Sequence, residues 1–262
     1  MRSDVNFDGV ASQFEAAIYG SSRGTVRLSV LWEDLLSEIP QIQAGGLSIL
    51  DAGGGAGHVA VRLAQCGNTV VLADASREML DVAAAAAREA GVSGRLTIVH
   101  AAIQELDAAV LGTFDVITCH AVVEWLADPR EAIASLARLL KPDGVLSLMF
   151  HNRDAALLAR VLRGNVAAAL DEQRHGYQPR GWKEGMVPLA EADVREWMAA
   201  AGLTVLSKAG IRIIHDHLPE EARSGAKLND LIALETALRK QEPFASLGYH
   251  IHLVCTRSAR AT

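Results

Sequence analysis

Residues 47–58, Leu-Ser-Ile-Leu-Asp-Ala-Gly-Gly-Gly-Ala-Gly-His, limit the fold more than any other stretch of the chain. Apolar residues run into Asp51, the glycines Gly53, Gly54, Gly55 and Gly57 follow, and Val59, Val61, Leu63 and Ala64 begin a helical pattern. The stretch reads as a buried parallel strand, a tight turn and a helix start. Glycine permits positive φ at such a turn and lets a ligand come close to the backbone. A ligand there meets free N–H groups and the positive end of a helix. The spacing is G-G-G-x-G, not G-x-G-x-x-G, which counts against the pyrophosphate site of a dinucleotide dehydrogenase. A purely structural turn also uses glycine, so this stretch alone does not decide function.

Thr-Val-Val-Leu-Ala-Asp at 69–74 is a second short apolar strand. It ends in Asp74, about 20 positions after the glycines, where an acid is suited to accept hydrogen bonds from ribose hydroxyls. The structural alternative is a helix N-cap. Further strands are predicted at 96–100, 114–119 and 145–150, with helices at 77–90 and 129–140. Buried strands alternating with helices predict a doubly wound parallel sheet whose ligands lie at the carboxyl ends of the strands. Residues 100–104 and 119–125 fall at those ends. Trp125 is expected to pack beneath its loop.

Before the glycine turn, Val10, Phe14 and Ile18 form a helical stripe, and a second helix is predicted at 25–39 with Leu28, Leu31, Leu35 and Ile39 on its apolar face,. Arg27 falls in the first turn of that helix, where the helix dipole opposes a cation. A bound anion would explain it; a solvated arginine is the alternative. After 150 the alternation breaks. Arg160, Arg163, Arg174, Arg180 and Lys183 stand against Asp171, Glu172 and Glu184, with Tyr177 and Trp182 interleaved. This predicts a helix followed by a mobile loop over the ligand edge, either a contact for single-stranded nucleic acid or a solvated surface. The remainder predicts a helix at 191–201, a strand at 204–214, a helix at 220–240 with Leu228, Leu231, Leu234 and Leu238 inward, and a last strand at 247–254.

Half of the 262 residues are hydrophobic, enough for a large core, and the net charge of −6 argues against a general nucleic-acid coat while leaving room for a local basic patch,. Cys66, Cys119 and Cys255 are odd in number and far apart, with neither metal nor disulfide spacing, which predicts a reducing, cytoplasmic setting,. Arg2 leads into polar residues, so no signal peptide is expected,. No apolar run approaches the roughly 20 residues of a membrane span.

D-A-G-G-G-A-G and L-A-D-A-S together resemble the first two motifs of class I S-adenosylmethionine-dependent methyltransferases. More specific phrases accompany them: N-F-D, I-Y-G-S-S-R-G, H-A-V-V-E-W-L-A-D-P-R, G-V-L-S-L-M-F-H-N, R-I-I-H-D-H-L and E-P-F-A-S-L-G-Y-H-I-H. This combination, from about residue 6 to 254, is similar to the tRNA 5-carboxymethoxyuridine methyltransferases. The resemblance implies a Rossmann-like methyltransferase fold, a doubly wound, seven-stranded, mostly parallel sheet with helices on both faces and an antiparallel last strand. It implies a single domain, 1–262, with a helical cap at 1–40, a cofactor-binding core at 47–150, a substrate-covering insertion at 151–190 and a completing segment at 191–262.

By the same resemblance S-adenosylmethionine is the cofactor, and Arg27, Gly53, Gly54, Asp74, Ile103, Gln104 and His120 take its binding positions. The methionine carboxylate is then the anion that Arg27 calls for. The implied reaction is methyl esterification of the carboxylate of 5-carboxymethoxyuridine at the wobble position, with the tRNA anticodon loop as partner and neither metal nor membrane involved. Location and residue type nominate Tyr19 and His151 to orient the substrate, and Arg180, Tyr249 and His250 to bind it. The mixed charge of 171–185 departs from the lysine-rich loop of some members. Two alternatives remain: a methyltransferase for a small-molecule carboxylic acid, and a cofactor-binding scaffold without catalysis.

Overall fold

Strands β1 (Ser48–Ala52), β2 (Thr69–Asp74), β3 (Leu96–His100), β4 (Phe114–His120), β5 (Leu140–His151), β6 (Leu203–Ile211) and β7 (His250–Arg257) form one sheet. The computed structural model describes residues 3–9, 20–177 and 185–257. Strand order is β3-β2-β1-β4-β5-β7-β6. Strands β1 to β5 pair in parallel, and β7 runs antiparallel to both β5 and β6. This is the predicted doubly wound sheet with its antiparallel last strand. The winding reverses between β1 and β4, so a crevice opens at the carboxyl ends of these two strands.

The longer helices are α1 (Ser22–Glu38), α2 (His58–Gln65), α3 (Arg77–Glu89), α4 (Pro129–Leu139), α5 (Arg153–Leu162), α6 (Val166–His175), α7 (Glu191–Ala200) and α8 (Leu228–Leu238). Caps fix several starts: Ser76 Oγ accepts from the Met79 N–H at the head of α3, and Asp128 accepts from the Glu131 N–H at the head of α4,. Side chains alternate across a strand, so neighbouring residues feed two cores. Leu50, Ile117, Leu148 and Leu253 pack with Ile133 and Leu136 of α4 and Met198 of α7. Ile49, Val116 and Val254 pack with Leu35 of α1, Leu63 of α2 and Leu80 of α3. Each such buried side chain contributes about 1.5–3 kcal/mol over its exposed state.

Several expectations are corrected. Helix α1 opens at Ser22 because Ser21 caps it, so Arg27 lies beyond the first turn and the dipole no longer explains it. The segment after β5 forms two helices, α5 and α6, where one was expected, and residues 178–184 of the loop predicted to follow lie outside the described residues. The helix predicted at 220–240 divides into Glu220–Gly225 and α8, with Ala226 extended between them. Leu228 and Leu234 are exposed, whereas Leu231 is buried with Glu235. Glu235 faces inward because its carboxylate accepts the backbone N–H groups of Ile213, Ile214 and His215. Strand β6 stops at Ile211 since Arg212 takes a left-handed conformation, φ 63°. Leu247 belongs to the short helix Phe244–Leu247, so the last strand starts at His250. Val10, Phe14 and Ile18 lie outside the described residues. No helix among the described residues is long and apolar enough to cross a membrane.

Candidate functional site

A cavity of about 330 Å³ opens at the carboxyl ends of β1, β2 and β4. Arg27, Gly53, Gly54, Asp74, Ile103, Gln104 and His120 all line it. The glycine turn is shaped by close approach. A Cβ on Gly53, whose φ is 70°, would lie 2.6 Å from Val122, and one on Gly54 would lie 2.5 Å from Asp51 Oδ2. Both residues therefore have to be glycine for the turn to sit against its neighbours.

Asp74 ends β2 with both oxygens engaged. Oδ2 accepts from the Gly55 N–H at 2.9 Å and Oδ1 from the Ser76 N–H at 2.8 Å. The carboxylate thus ties the glycine turn to the start of α3, while Ser76 is the actual cap. Burial raises the Asp74 pKa. Asp51 lies deeper, 2% exposed. Its Oδ1 accepts from Thr118 Oγ1 at 2.7 Å, and Oδ2 has no hydrogen-bond partner among the described residues. Burial pushes the Asp51 carboxyl up to about 6.

His120, the last residue of β4, connects the cavity wall to a buried polar chain. His120 Nε2 lies 2.8 Å from Ser147 Oγ, which lies 2.7 Å from His252 Nε2; His252 Nδ1 lies 2.8 Å from Asp34 Oδ2 on α1. Burial raises Asp34's pKa, but the His252 contact and Arg239, 2.8 Å from Oδ1, outweigh it and hold the carboxyl at about 2. Asp34 is therefore an acceptor, and His252 donates through Nδ1–H. Ser147 has one hydroxyl proton, so it donates to one histidine and accepts from the other. Burial holds His120 well below the usual histidine range, so its ring is neutral at neutral pH. Nδ1 of His120 has no hydrogen-bond partner among the described residues.

The substrate-side candidates His151, Tyr249 and His250 are not among the residues lining this cavity. His151 ends β5, pairs with His250 at the start of β7, and is 3% exposed. Its ring lies 4.3 Å from Tyr249 and 5.6 Å from His250, centre to centre. The strand ends thus bring His151, Tyr249 and His250 together. Tyr19 and Arg180 lie outside the described residues.

A family model described as a methyltransferase domain matches residues 50–148. The tRNA 5-carboxymethoxyuridine methyltransferase of Escherichia coli K12 is 37% identical over 257 residues, covering 97% of each chain. The chain belongs to this family of tRNA 5-carboxymethoxyuridine methyltransferases. Magnesium protoporphyrin IX methyltransferase from Synechocystis PCC 6803, solved with bound S-adenosylhomocysteine, shares the fold at a TM-score of 0.64, with 19% identity and 96% of each chain covered. The cyclase SpnF also shares it, at a TM-score of 0.57 and 19% identity, covering 86% of this chain and 80% of its own. One sheet thus serves a cyclase and methyltransferases, so the fold alone does not select a reaction. The family does: this methyltransferase uses S-adenosylmethionine.

Sequence reasoning missed part of the methyltransferase's cavity. Asp4, Val5, Asn6 and Phe7 line it. Asp4 accepts from Gln104 Nε2 at 2.9 Å and from the Ala127 N–H at 2.6 Å, and Phe7 meets Trp125 edge-on at 5.1 Å. Trp125 is buried as expected, yet it also lines the cavity. The phrase N-F-D was the available signal, but it carries no periodicity. Asp51 was visible as the acid at the end of the first strand; only the fold shows its unpartnered oxygen.

Proposed function

We propose that this methyltransferase esterifies the carboxylate of 5-carboxymethoxyuridine at the wobble position of tRNA. The full-length similarity to a curated enzyme of that name carries the reading. The alignment runs through the segments after β5, where a substrate is met, as well as through the shared cofactor core.

The cavity's donors and acceptors fit S-adenosylmethionine. The unpartnered Asp51 Oδ2 is a buried anionic acceptor suited to an ammonium group,. Asp74 is a ribose acceptor held in place by two backbone N–H groups. Ile103, Met79 and Ala102 offer an apolar floor to a purine. Arg27, buried in the wall, suits the methionine carboxylate. His120, tied to Ser147 and lacking a charge, keeps the neighbourhood of the sulfonium free of a repelling cation.

Bound S-adenosylmethionine supplies a methyl group activated by sulfonium. The substrate carboxylate oxygen attacks the methyl carbon; the C–O bond forms, the C–S bond breaks, and its electron pair stays on sulfur. The products are the methyl ester and S-adenosylhomocysteine, and no proton moves. A carboxylate is ionised at neutral pH, so the protein needs no general base. Its work is alignment and exclusion of water. His151, Tyr249 and His250 act there, joined in this reading by Tyr19 and Arg180. The reading implies a cytoplasmic enzyme whose partner is the anticodon loop.

The test is nucleoside mass spectrometry on tRNA carrying the free acid, incubated with the protein and S-adenosylmethionine. A gain of one methyl, removed by mild base as an ester is, supports the reading. Cofactor binding without any gain sinks it in favour of a small carboxylic acid or a silent scaffold.

A further inference from the structure

We propose that Arg212 is the seat of the substrate carboxylate and sets the enzyme's preference for acid over ester. The inference rests on the tRNA reading and names the group that recognises the acid. Arg212 directly follows β6, is 4% exposed and carries φ 63°, a conformation that non-glycine side chains seldom adopt,. Such backbone persists where the surrounding structure holds it, and it clusters at binding sites. Strand pairing brings this position to the ligand edge: Ile211 pairs with His250, which pairs with His151.

The guanidinium is held on two sides. Nε and Nη2 both bind Asp216 Oδ2, at 2.6 and 2.5 Å, and Cζ lies 4.2 Å above the Tyr249 ring. Nη1 makes no hydrogen bond among the described residues. Chains of contacts connect the assembly to the cavity wall on two flanks. On one flank Asp216 meets Arg23 at 3.3 Å, and Arg23 lies one helical turn from the cavity-lining Arg27 on α1,. On the other flank the Tyr249 ring packs on His151, whose backbone N–H donates to Glu124 in the cavity-wall loop.

A planar guanidinium with an open N–H edge matches a carboxylate better than an ammonium does. Stacking on Tyr249 fixes the plane of that edge. Asp216 tempers the charge, so the substrate's carboxylate is oriented without being too strongly stabilised before it reacts. Transfer of the methyl removes the negative charge, so the ester loses its hold on Arg212. One residue thereby favours substrate entry and product release.

The test uses full-length protein with S-adenosylhomocysteine and two anticodon stem-loops, one bearing the free acid and one its methyl ester. Wild-type protein is expected to bind the acid at least about tenfold more tightly than the ester. Arg212→Gln is expected to bring that ratio to about one and to lower kcat/KM about 100-fold, with cofactor affinity unchanged. Arg212→Lys keeps the charge without the fork and is expected to recover part of the ratio. A ratio retained in Arg212→Gln overturns the proposal; if that variant fails to fold, a wild-type ratio in Arg212→Lys does so. Wild-type protein that binds neither stem-loop defeats the tRNA reading instead. Methoxyacetate, the smallest mimic of the acid arm, then serves as the probe in an NMR titration. Binding by wild type that Arg212→Gln loses upholds the seat; equal binding, or none, overturns it.

Discussion

The two halves of the sheet's carboxyl edge are built by opposite means. Around β1 and β2 the wall is backbone, glycine and two short acids, all from one compact run of sequence. Around β5, β6 and β7 it is large aromatic and cationic side chains, with Arg212, Tyr249 and His151 drawn from distant segments. The first half meets a ligand of constant shape, where close backbone approach matters most. On the proposed reaction, the second recognises a charge that methyl transfer removes, which calls for a placed cation. The contrast predicts that cofactor binding is most sensitive to added volume and substrate binding to lost charge. Gly54→Val is accordingly the harshest change. Its branched side chain would collide with Asp51 Oδ2 and Leu72. Overpacking of this kind costs about 1–3 kcal/mol or more, and calorimetry should show cofactor affinity falling at least about 100-fold. Tolerance of valine here would break the comparison.

Asp74→Asn sharpens it. The variant keeps the volume and removes the charge. Charged hydrogen bonds are worth about 1.5–3 kcal/mol, so the cofactor Kd is expected to rise about 10–150-fold. With saturating cofactor, kcat should stay near wild type, because Asp74 lies away from the transferred methyl in this reading. An unchanged Kd would remove Asp74 from the cofactor site.

The same contrast explains what the sequence disclosed. The glycine turn, Asp74 and the positions after β3 and β4 are local patterns tied to strand ends, and the six residues at them, Gly53, Gly54, Asp74, Ile103, Gln104 and His120, meet in one cavity with Arg27 of α1. Chains of contacts between distant segments leave no local pattern. Asp34, Ser147 and His252 look like unrelated polar residues until strands β5 and β7 align beneath α1. Arg212 stood inside the phrase R-I-I-H-D-H-L, but nothing in its neighbours announced a left-handed residue that would end β6. Leucine spacing misplaced Leu228 and Leu234 because a buried acid, Glu235, was needed to satisfy three backbone N–H groups.

Asp34 offers a smaller test on the second half. Its folded pKa, about 2, lies below the ordinary 3.8. Its contribution is therefore fully present above pH 3.8 and is lost as pH falls toward 2,. The shift corresponds to about 2 kcal/mol. Denaturant unfolding of wild-type protein should lose that much between these limits, and Asp34→Asn should flatten that part of the profile while unfolding more easily at neutral pH. An identical acid limb in the variant would show that the His120–Ser147–His252–Asp34 chain is not held by an ionised Asp34.

Asp51 has the opposite shift and gives the smallest effect. Its folded pKa is raised from 3.8 to about 6 by burial. In the ligand-free protein its stabilising contribution is full below pH 3.8 and declines as pH rises through about 6,. Ligand binding should run the other way. A free amino group of the cofactor stays protonated below its pKa of about 7.7–8.0, so it favours the ionised Asp51. A group with a pKa of about 6 goes from about a tenth ionised at pH 5 to about nine-tenths at pH 7. Cofactor affinity should therefore rise about tenfold across that interval, with proton release on binding that fades toward pH 7. Asp51→Asn should bind more weakly than wild type at pH 7 and show a flat profile. A wild-type affinity that ignores pH between 5 and 7 would mean that Asp51 Oδ2 does not face the cofactor's ammonium. The cofactor half would then hold its ligand with one acid, Asp74, beside its backbone, a sharper separation from the side-chain-built half.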